Sequence, residues 1–270
     1  MTTKISAKVT CKPSAYRVVA GAVLLLASAA PIAGGQAAPL PKLTPVEQRI
    51  RDYVRAHENE QIAFLEKAVN INSGTLNLAG VRQVGGLFAP EFASIGFDTT
   101  WVDLPPAVGR AGHFFAERKG NRGKRLILLG HLDTVFEGEG EKFVRLDTLA
   151  AGAGSSDMKG GDVVILYALK ALQSVGALKG TRIVVALMGD EEDAGPLDKV
   201  SRQPLIRIAK RSDAALGFEE DAGKGTVARR GFSGWQLTVT ARQAHSSGIF
   251  QPGSSDGAIY EAARILNTFR

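Results

Sequence analysis

One histidine and two acidic clusters follow apolar runs of the sequence, and their side chains could together hold a metal ion. Residues 126–129 are all apolar, and His131 and Asp133 follow them after Gly130. Four adjacent acidic residues, 190–193, follow a second apolar run, and the second acidic cluster begins with Glu219 after a third apolar run. If these runs are strands, the loops that leave their carboxyl ends converge at one sheet edge. An imidazole and several carboxylates at one edge are the ligands that a hydrolytic zinc site uses.

Each cluster taken alone also fits a structural role. Asp133 could fix the tautomer of His131, yet the same pair is equally compatible with a capped loop whose side chains are solvated. Adjacent carboxylates repel one another unless cations or solvent compensate, so residues 190–193 could form an exposed acidic turn. The recurrence of such side chains after three strand-like runs is what favours a metal site.

Asp157 stands in a glycine-rich stretch, residues 152–161, just before an apolar run at 163–169. A run of this kind predicts a helix buried against a sheet, so Asp157 falls at a helix start. By itself it fits a helix N-cap, a common place for aspartate. The glycine spacing matches neither the P-loop nor the dinucleotide-binding pattern, so a phosphate cradle is not favoured.

The elements that must position these residues can be predicted in order along the chain. Residues 44–47 form a capping-box pattern with proline at the first helical position, which predicts one helix ending near Val69. A second helix is predicted over residues 77–95. The alternating residues 97–101 and 113–115 predict two strands.

Three further segments complete this prediction. A loop rich in glycine and glutamate is expected after His131. The alternation of residues 235–240 predicts a half-buried strand, and the apolar spacing of residues 259–269 predicts a helix. His57, without a partner nearby in sequence, is interpreted as a surface histidine, and His113 as a strand residue.

The first 38 residues are typical of a secretory leader. Four basic residues precede an apolar stretch at 18–30 that is too short to span a bilayer, and small residues follow it. We therefore expect a secreted or periplasmic protein with no membrane attachment after cleavage; an uncleaved N-terminal anchor is the alternative. The single cysteine, Cys11, leaves with the leader, so no disulfide is expected.

The charge of the mature chain argues against a polyanion partner. Without the leader, 29 Lys and Arg stand against 27 Asp and Glu, so the net charge falls from +6 to +2. Binding to nucleic acid depends on an excess of positive charge, so no nucleic-acid partner is expected.

Four motifs occur in an order that resembles a known enzyme family. They are Gly130-His131-Leu132-Asp133-Thr134-Val135, Asp157-Met158-Lys159-Gly160-Gly161, Asp190-Glu191-Glu192 and Gly217-Phe218-Glu219. In this order they resemble the two-zinc exopeptidases and deacylases, which include glutamate carboxypeptidase, acetylornithine deacetylase, aminoacylase and succinyl-diaminopimelate desuccinylase. The resemblance implies an α/β fold in which a mixed sheet is flanked by helices.

The resemblance also implies roles for single residues. The zinc ligands would be, in chain order, His131, Asp157, Glu192 and Glu219. Asp157 would bridge the two zinc ions of each subunit in the intact protein, and the peptide bond after it would be cis. Glu191 would be the general base, and Asp133 would orient His131. Cobalt could take the place of zinc.

His245 resembles the lid histidine of the family, which reaches the active site of the partner subunit. In that role it would donate a hydrogen bond to the oxyanion; the alternative is a turn histidine after a strand. The resemblance implies a catalytic domain over residues 39–228 and the start of a smaller α+β, ferredoxin-like lid and dimerisation domain over 229–270. A homodimer through the lid is therefore expected.

Together these features predict an exported zinc metallopeptidase that hydrolyses a peptide or N-acyl amide bond next to a free carboxylate. Glu219 favours this class, because family members that cleave from the amino end tend to have aspartate there. The substrate would be a small peptide or an N-acyl amino acid, which leaves a carboxypeptidase, a dipeptidase and a deacylase open. The alternative from another class is a non-catalytic exported binding module, which would have no need of Glu191.

The histidine count bears on whether the site is complete. The chain has four histidines, whereas the family's two-zinc site uses two as ligands, the second from a stretch after the lid. Only His131 stands at a ligand position, since His57 lies in the first helix, His113 in an early strand and His245 in the lid. We therefore expect the 270 residues to be the first part of a longer enzyme, binding the second zinc weakly and hydrolysing little on their own.

Overall fold

The computed structural model describes most of the chain after the expected leader. The described residues are 42–138, 140–219, 225–228, 231, 236–241, 245–248, 250–251 and 257–269. The leader lies outside them, and so does Trp235 of the predicted strand. They divide into two compact units, one within Ala37–Gly225 and one within Thr226–Arg270. The candidate site residues up to Glu219 all belong to the first unit.

The first unit contains both α-helices and strands, and one described α-helix belongs to the second unit. The helices are α1 (Pro45–Ala56), α2 (Glu58–Val69), α3 (Leu78–Ser94), α4 (Lys159–Ser174), α5 (Asp198–Ser201), α6 (Gln203–Ala209) and, in the second unit, α7 (Gly257–Asn267). The strands are β1 (Asp98–Val102), β2 (His113–Arg118), β3 (Arg122–His131), β4 (Val144–Leu146), β5 (Leu149–Ala151), β6 (Thr181–Met188) and β7 (Ala214–Gly217). Within the described ranges, no helix has both the length and the apolar character needed to cross a membrane.

Five of the strands form one mixed sheet in the order β1-β2-β6-β3-β7. β2 pairs antiparallel with β1 and β6, whereas β3 runs parallel to β6 and β7. His131 at the end of β3 pairs with Met188 at the end of β6, and Leu129 pairs with Gly217 at the end of β7. The register therefore aligns the carboxyl ends of the three parallel strands at one edge of the sheet.

The sheet is covered by helices on both faces. Successive side chains of a strand point to opposite faces. Phe114 and Leu128 accordingly pack in a large cluster with residues of α2, α3 and α4, while Phe115 and Ile127 pack in a smaller one with residues of α6. The predicted fold, a mixed sheet flanked by helices, is confirmed.

The predicted first helix is divided at His57 into α1 and α2. His57 has a φ of −107° and a ψ of 18°, outside helical values, and its Nδ1 lies 2.7 Å from the backbone oxygen of Tyr53. Its imidazole also stacks on the Tyr53 ring, with centroids 3.9 Å apart. A side chain that bonds a local carbonyl competes with the backbone ladder of a helix, and the helix is interrupted at this residue.

Two other predictions of local structure are wrong. The expected loop after His131 contains an antiparallel hairpin of β4 and β5, and Asp147 at its turn has a φ of 51°, a conformation that aspartate tolerates. Conversely, residues 236–240 do not form a strand. A strand requires a hydrogen-bonded neighbour, and no described segment pairs with these residues.

Candidate active site

His131 is the centre of the candidate site. It ends β3 and is 1% exposed, with its Nε2 atom 3.0 Å from Asp157 Oδ1 and 3.4 Å from Glu219 Oε1. The other ring nitrogen, Nδ1, lies 3.0 Å from the backbone oxygen of Asp133 and 3.4 Å from Asp133 Oδ1. The imidazole is therefore held at Nδ1, while Nε2 faces carboxylates that two other segments supply.

Asp133 ties β3 to the loop after β6. Its buried carboxylate accepts the Thr75 hydroxyl at 2.7 Å and the backbone N–H groups of Glu191 and Glu192 at 3.0 and 3.1 Å. Burial alone would raise the pKa of Asp133, but His131, Thr75 and the Glu191 N–H together hold that pKa below its ordinary value. Asp133 thus fixes the backbone that presents both glutamates, which is a wider role than the orientation of His131.

Two groups of side chains bring their ligand atoms close enough to share a metal ion. One group is His131, Glu191 and Glu219, and the other is His131, Asp157 and Glu192; within each, the ligand atoms lie within 4.8 Å of one another. An imidazole nitrogen with carboxylate oxygens is a donor set that suits zinc. The residues present therefore fit divalent metal ions. Glu191 and Glu192 belong to one group each, so their division into base and ligand stays a prediction.

The pKa values of His131 and Glu192 are both raised at this edge of the sheet. Burial lowers the pKa of His131, but the Asp133 carboxylate, with Asp162 and Glu219, outweighs burial and raises it to about 10. Burial and then the neighbouring Asp157 raise the pKa of Glu192 to about 7. A metal ion that replaced these protons would compensate the crowded carboxylates.

Metal binding is expected to release protons in a number that depends on pH. With a pKa of about 10, His131 is protonated at pH 8 and must lose its proton to act as a ligand. With a pKa of about 7, Glu192 is mostly ionised at that pH but holds a proton below it. We expect release of about one proton per site at pH 8 and more near pH 6. Calorimetric zinc titrations in buffers of different ionisation enthalpy count these protons, and binding with none released would exclude His131 as a ligand.

The start of α4 is held by a lysine that sequence reasoning missed. The peptide bond between Asp157 and Met158 is cis, as the family resemblance implied. The buried Lys159 ammonium donates to the backbone oxygens of Ala68 and Ile71, at 3.0 and 2.9 Å. Burial lowers its pKa to about 8. Lys159 therefore caps the carboxyl end of α2 and anchors it beside Asp157. The available signal was a lone lysine two residues after the site aspartate.

Asp162 is a second residue that was missed. It is fully buried in the first turn of α4, and neither of its carboxyl oxygens has a hydrogen-bond partner among the residues that the structure describes. Burial raises its pKa well above the ordinary value. Gly130 provides the room, because a Cβ at that position would overlap Asp162 Oδ1. An acidic residue directly before the apolar run at 163–169 was the signal in the sequence.

The three other histidines are absent from both ligand groups. His57 lies at the break between α1 and α2, where its side chain contacts Tyr53. His113 is completely buried, and it uses both ring nitrogens, one for the N–H of Gly189 and one for the backbone oxygen of Ser201. His245 is exposed and belongs to the second unit, and its lid role stays a prediction.

A histidine and several carboxylates at the carboxyl edge of parallel strands define an α/β protein with a candidate metal centre of the zinc-hydrolase type. Residues 127–264, about half of the sequence, match peptidase family M20/M25/M40. The chain belongs to that family.

Curated relatives match large parts of the chain. It is 29% identical over 271 aligned positions to carboxypeptidase G2 of Pseudomonas sp. (strain RS-16), which covers 94% of this chain and 60% of that protein. It is 34% identical over 143 positions to the succinyl-diaminopimelate desuccinylase of Methylobacterium radiotolerans, covering 47% of this chain and 36% of that protein. The chain therefore spans less than two thirds of the length of either relative.

Solved structures share the fold. Human carnosine dipeptidase 1 superimposes with a TM-score of 0.53 at 17% identity, over 63% of this chain and 40% of that one. The di-peptidase Dug1p of Saccharomyces cerevisiae gives the same TM-score at 18% identity and the same two shares. At these identities the likeness concerns the fold alone.

Proposed function

We propose that the protein is a metal-dependent hydrolase that cleaves a peptide or N-acyl amide bond next to a free carboxylate. The observation that carries this proposal is the gathering of carboxylates from three separate segments around His131 Nε2. Asp157 lies at 3.0 Å, Glu219 at 3.4 Å and Glu191 at 4.0 Å from that atom. Membership of a peptidase family supports the same type of reaction.

Zinc is the metal that we propose, with two ions per subunit and cobalt as a possible substitute. The residues proposed to hold them are His131, Asp157, Glu192 and Glu219. A bound zinc ion polarises a substrate carbonyl and lowers the pKa of water to about 7, which makes hydroxide available at neutral pH. The donor set around His131 supports this choice, because it combines one imidazole with several carboxylates.

Glu191 is proposed as the general base. Its side chain is 51% exposed, so water can reach the carboxylate, and its backbone N–H is held by Asp133. It would take a proton from the attacking water and pass it to the leaving nitrogen. We further propose, on the resemblance stated above, that His245 reaches the active site of the partner subunit and donates a hydrogen bond to the oxyanion that develops there on the carbonyl oxygen.

The substrate is proposed to be a small peptide or an N-acyl amino acid with a free carboxylate. One relative is named a carboxypeptidase and another a desuccinylase of succinyl-diaminopimelate, which supports this class. Glutamate at position 219, where family members that cleave from the amino end tend to have aspartate, supports it as well.

Location and assembly are separate proposals. The basic residues, the short apolar stretch and the small residues within the first 38 positions support export through a leader. The resemblance around His245 supports a homodimer through a lid at residues 229–270. The proposed reaction at His131 does not depend on export, whereas the role proposed for His245 needs the partner subunit.

A substrate panel tests the proposed reaction. The intact protein, purified and loaded with zinc, is assayed against dipeptides and N-acyl amino acids, each paired with a control whose terminal carboxylate is amidated. We expect turnover of at least one member and little or none of its amidated partner. Metal binding without turnover of any member would favour a non-catalytic binding module instead.

A further inference from the structure

The loop after β6 carries both candidate glutamates, and its first acidic residue, Asp190, makes its contacts elsewhere. Asp190 is completely buried, whereas Glu191 is half exposed. Neither of the two ligand groups includes Asp190, although it is adjacent to Glu191 in sequence. A buried carboxylate must be hydrogen-bonded and paired with a cation to remain charged at low cost.

Arg202 supplies that cation, and it contacts the backbone of Asp190 as well as the side chain. One guanidinium nitrogen of Arg202 donates to Asp190 Oδ1, and another donates to the backbone oxygen of Asp190 at 3.0 Å. The hydroxyl of Ser201 donates to the second carboxylate oxygen, Oδ2. Ser201 ends α5 and Arg202 separates it from α6, so these contacts join the acidic loop to a helical segment.

His113 extends the same network to the residue before Asp190. Its Nδ1 accepts the Gly189 backbone N–H at 3.2 Å, so its Nε2 carries the proton and donates to the backbone oxygen of Ser201 at 3.0 Å. Burial lowers the pKa of His113, which favours the neutral form that this pattern needs. Gly189 has no space for a side chain, because a Cβ there would overlap the backbone oxygen of Gly112.

The backbone of the loop is therefore held on two sides. Asp133 accepts the N–H groups of Glu191 and Glu192, while Arg202, Ser201 and His113 hold the two residues before them. A side chain that must meet a metal ion or a reacting proton needs its backbone fixed within a fraction of an ångström. Asp133, which holds one side of the loop, contacts His131. Arg202, which holds the other side, lies between α5 and α6, outside the metal site.

We propose that Arg202, acting through Asp190, is a positioning residue that fixes the loop presenting Glu191 and Glu192 to the metal site. Its role in turnover rests on the proposed function, whereas its role in metal affinity can be measured without any substrate. Substituting a residue that contacts the ligands of a metal site without binding the metal itself commonly lowers metal affinity or activity by about 10- to 100-fold. We expect Arg202→Met to weaken zinc binding by about this factor and to lower kcat more than it raises KM.

Two further variants separate positioning from general stabilisation. Arg202→Lys keeps the charge but cannot contact the carboxylate and the backbone oxygen with one rigid fork, so we expect an intermediate zinc affinity. Asp190→Asn combined with Arg202→Met should cost little more than either change alone, because both remove the same contact. Arg207→Met is the matched control, since Arg207 is exposed on α6 nearby. We expect this variant to bind zinc as tightly as the unchanged protein does.

The experiment measures zinc affinity by competition with a chromophoric chelator and, on the folded fraction, kcat and KM with zinc at saturation. Weaker zinc binding by folded Arg202→Met and Arg202→Lys, in that order, supports the proposal. Wild-type affinity and kcat in the folded variants overturn it, even if their melting temperatures fall. If Arg202→Met does not fold, Arg202→Lys and Asp190→Asn decide the question by the same readouts. A protein that binds zinc but hydrolyses nothing refutes the proposed function, while the affinity ranking still tests Arg202.

Discussion

Glu191→Gln is expected to lower kcat by roughly 100-fold or more while the bound zinc stays close to the wild-type amount. An amide of the same shape keeps the backbone bond from Glu191 to Asp133, but it cannot accept a proton from water. The measurement combines steady-state kinetics on the best substrate of the panel with elemental analysis of the same purified sample.

Two comparison variants show whether Glu191 acts as the base or as a metal ligand. Glu192→Gln should lose zinc, because Glu192 is the proposed ligand, whereas Glu60→Gln, on the exposed surface of α2, should change neither quantity. If Glu191→Gln loses its zinc and keeps its rate per remaining zinc ion, the two adjacent glutamates have the opposite roles. That outcome is a real test, because the geometry brings each glutamate into one ligand group.

His131→Ala is expected to abolish tight metal binding altogether. His131 is the one residue that both ligand groups share, and its Nε2 atom is the point on which their carboxylates converge. Removing a ligand should lower the zinc affinity by more than the roughly 10- to 100-fold that is typical when a residue outside the ligand set is substituted. The change also opens a small cavity at the end of β3, so folding is checked by circular dichroism on the same sample.

The matched control for this variant is His57→Ala. His57 lies at the break between α1 and α2, where it contacts Tyr53 and belongs to neither ligand group. We expect it to bind zinc normally. Zinc that stays bound with unchanged affinity in folded His131→Ala would contradict the assignment of the metal site to this sheet edge.

The placement of the site could be predicted from the sequence because it depends on local signals and one general rule. The apolar runs at 126–129 and 181–188 identify strands that are largely buried, and side chains that follow parallel strands meet at one edge. The register confirms this alignment, since the ends of β3 and β6 are paired. The ligand roles themselves came only from the family resemblance and stay predictions.

The supports of the site could not be predicted, because they depend on contacts between distant parts of the chain. Lys159 reaches back to the carbonyl of Ile71, 88 residues earlier, and His113 meets Ser201 at the same separation. Asp190 appeared to be one of four equivalent carboxylates, yet Arg202 draws it into the interior. No local pattern distinguishes a carboxylate that faces a metal ion from one that is buried against an arginine.

Local predictions failed where a single side chain decided the structure, or where no segment among the described residues pairs with a predicted strand. The imidazole of His57 interrupts a helix whose capping signal and spacing were otherwise continuous. The segment 236–240 alternates as a strand should, but alternation does not provide the hydrogen-bonded partner that a strand needs.

Removal and return of the metal is the most direct test of metal-dependent hydrolysis at His131. The intact protein is treated exhaustively with a chelator and its residual metal is measured. Hydrolysis of the best panel substrate is followed before treatment, after it, and after zinc or cobalt is added back. We predict that hydrolysis falls in proportion to the metal removed and returns with either ion. Undiminished hydrolysis by protein that contains no metal would contradict the proposed mechanism.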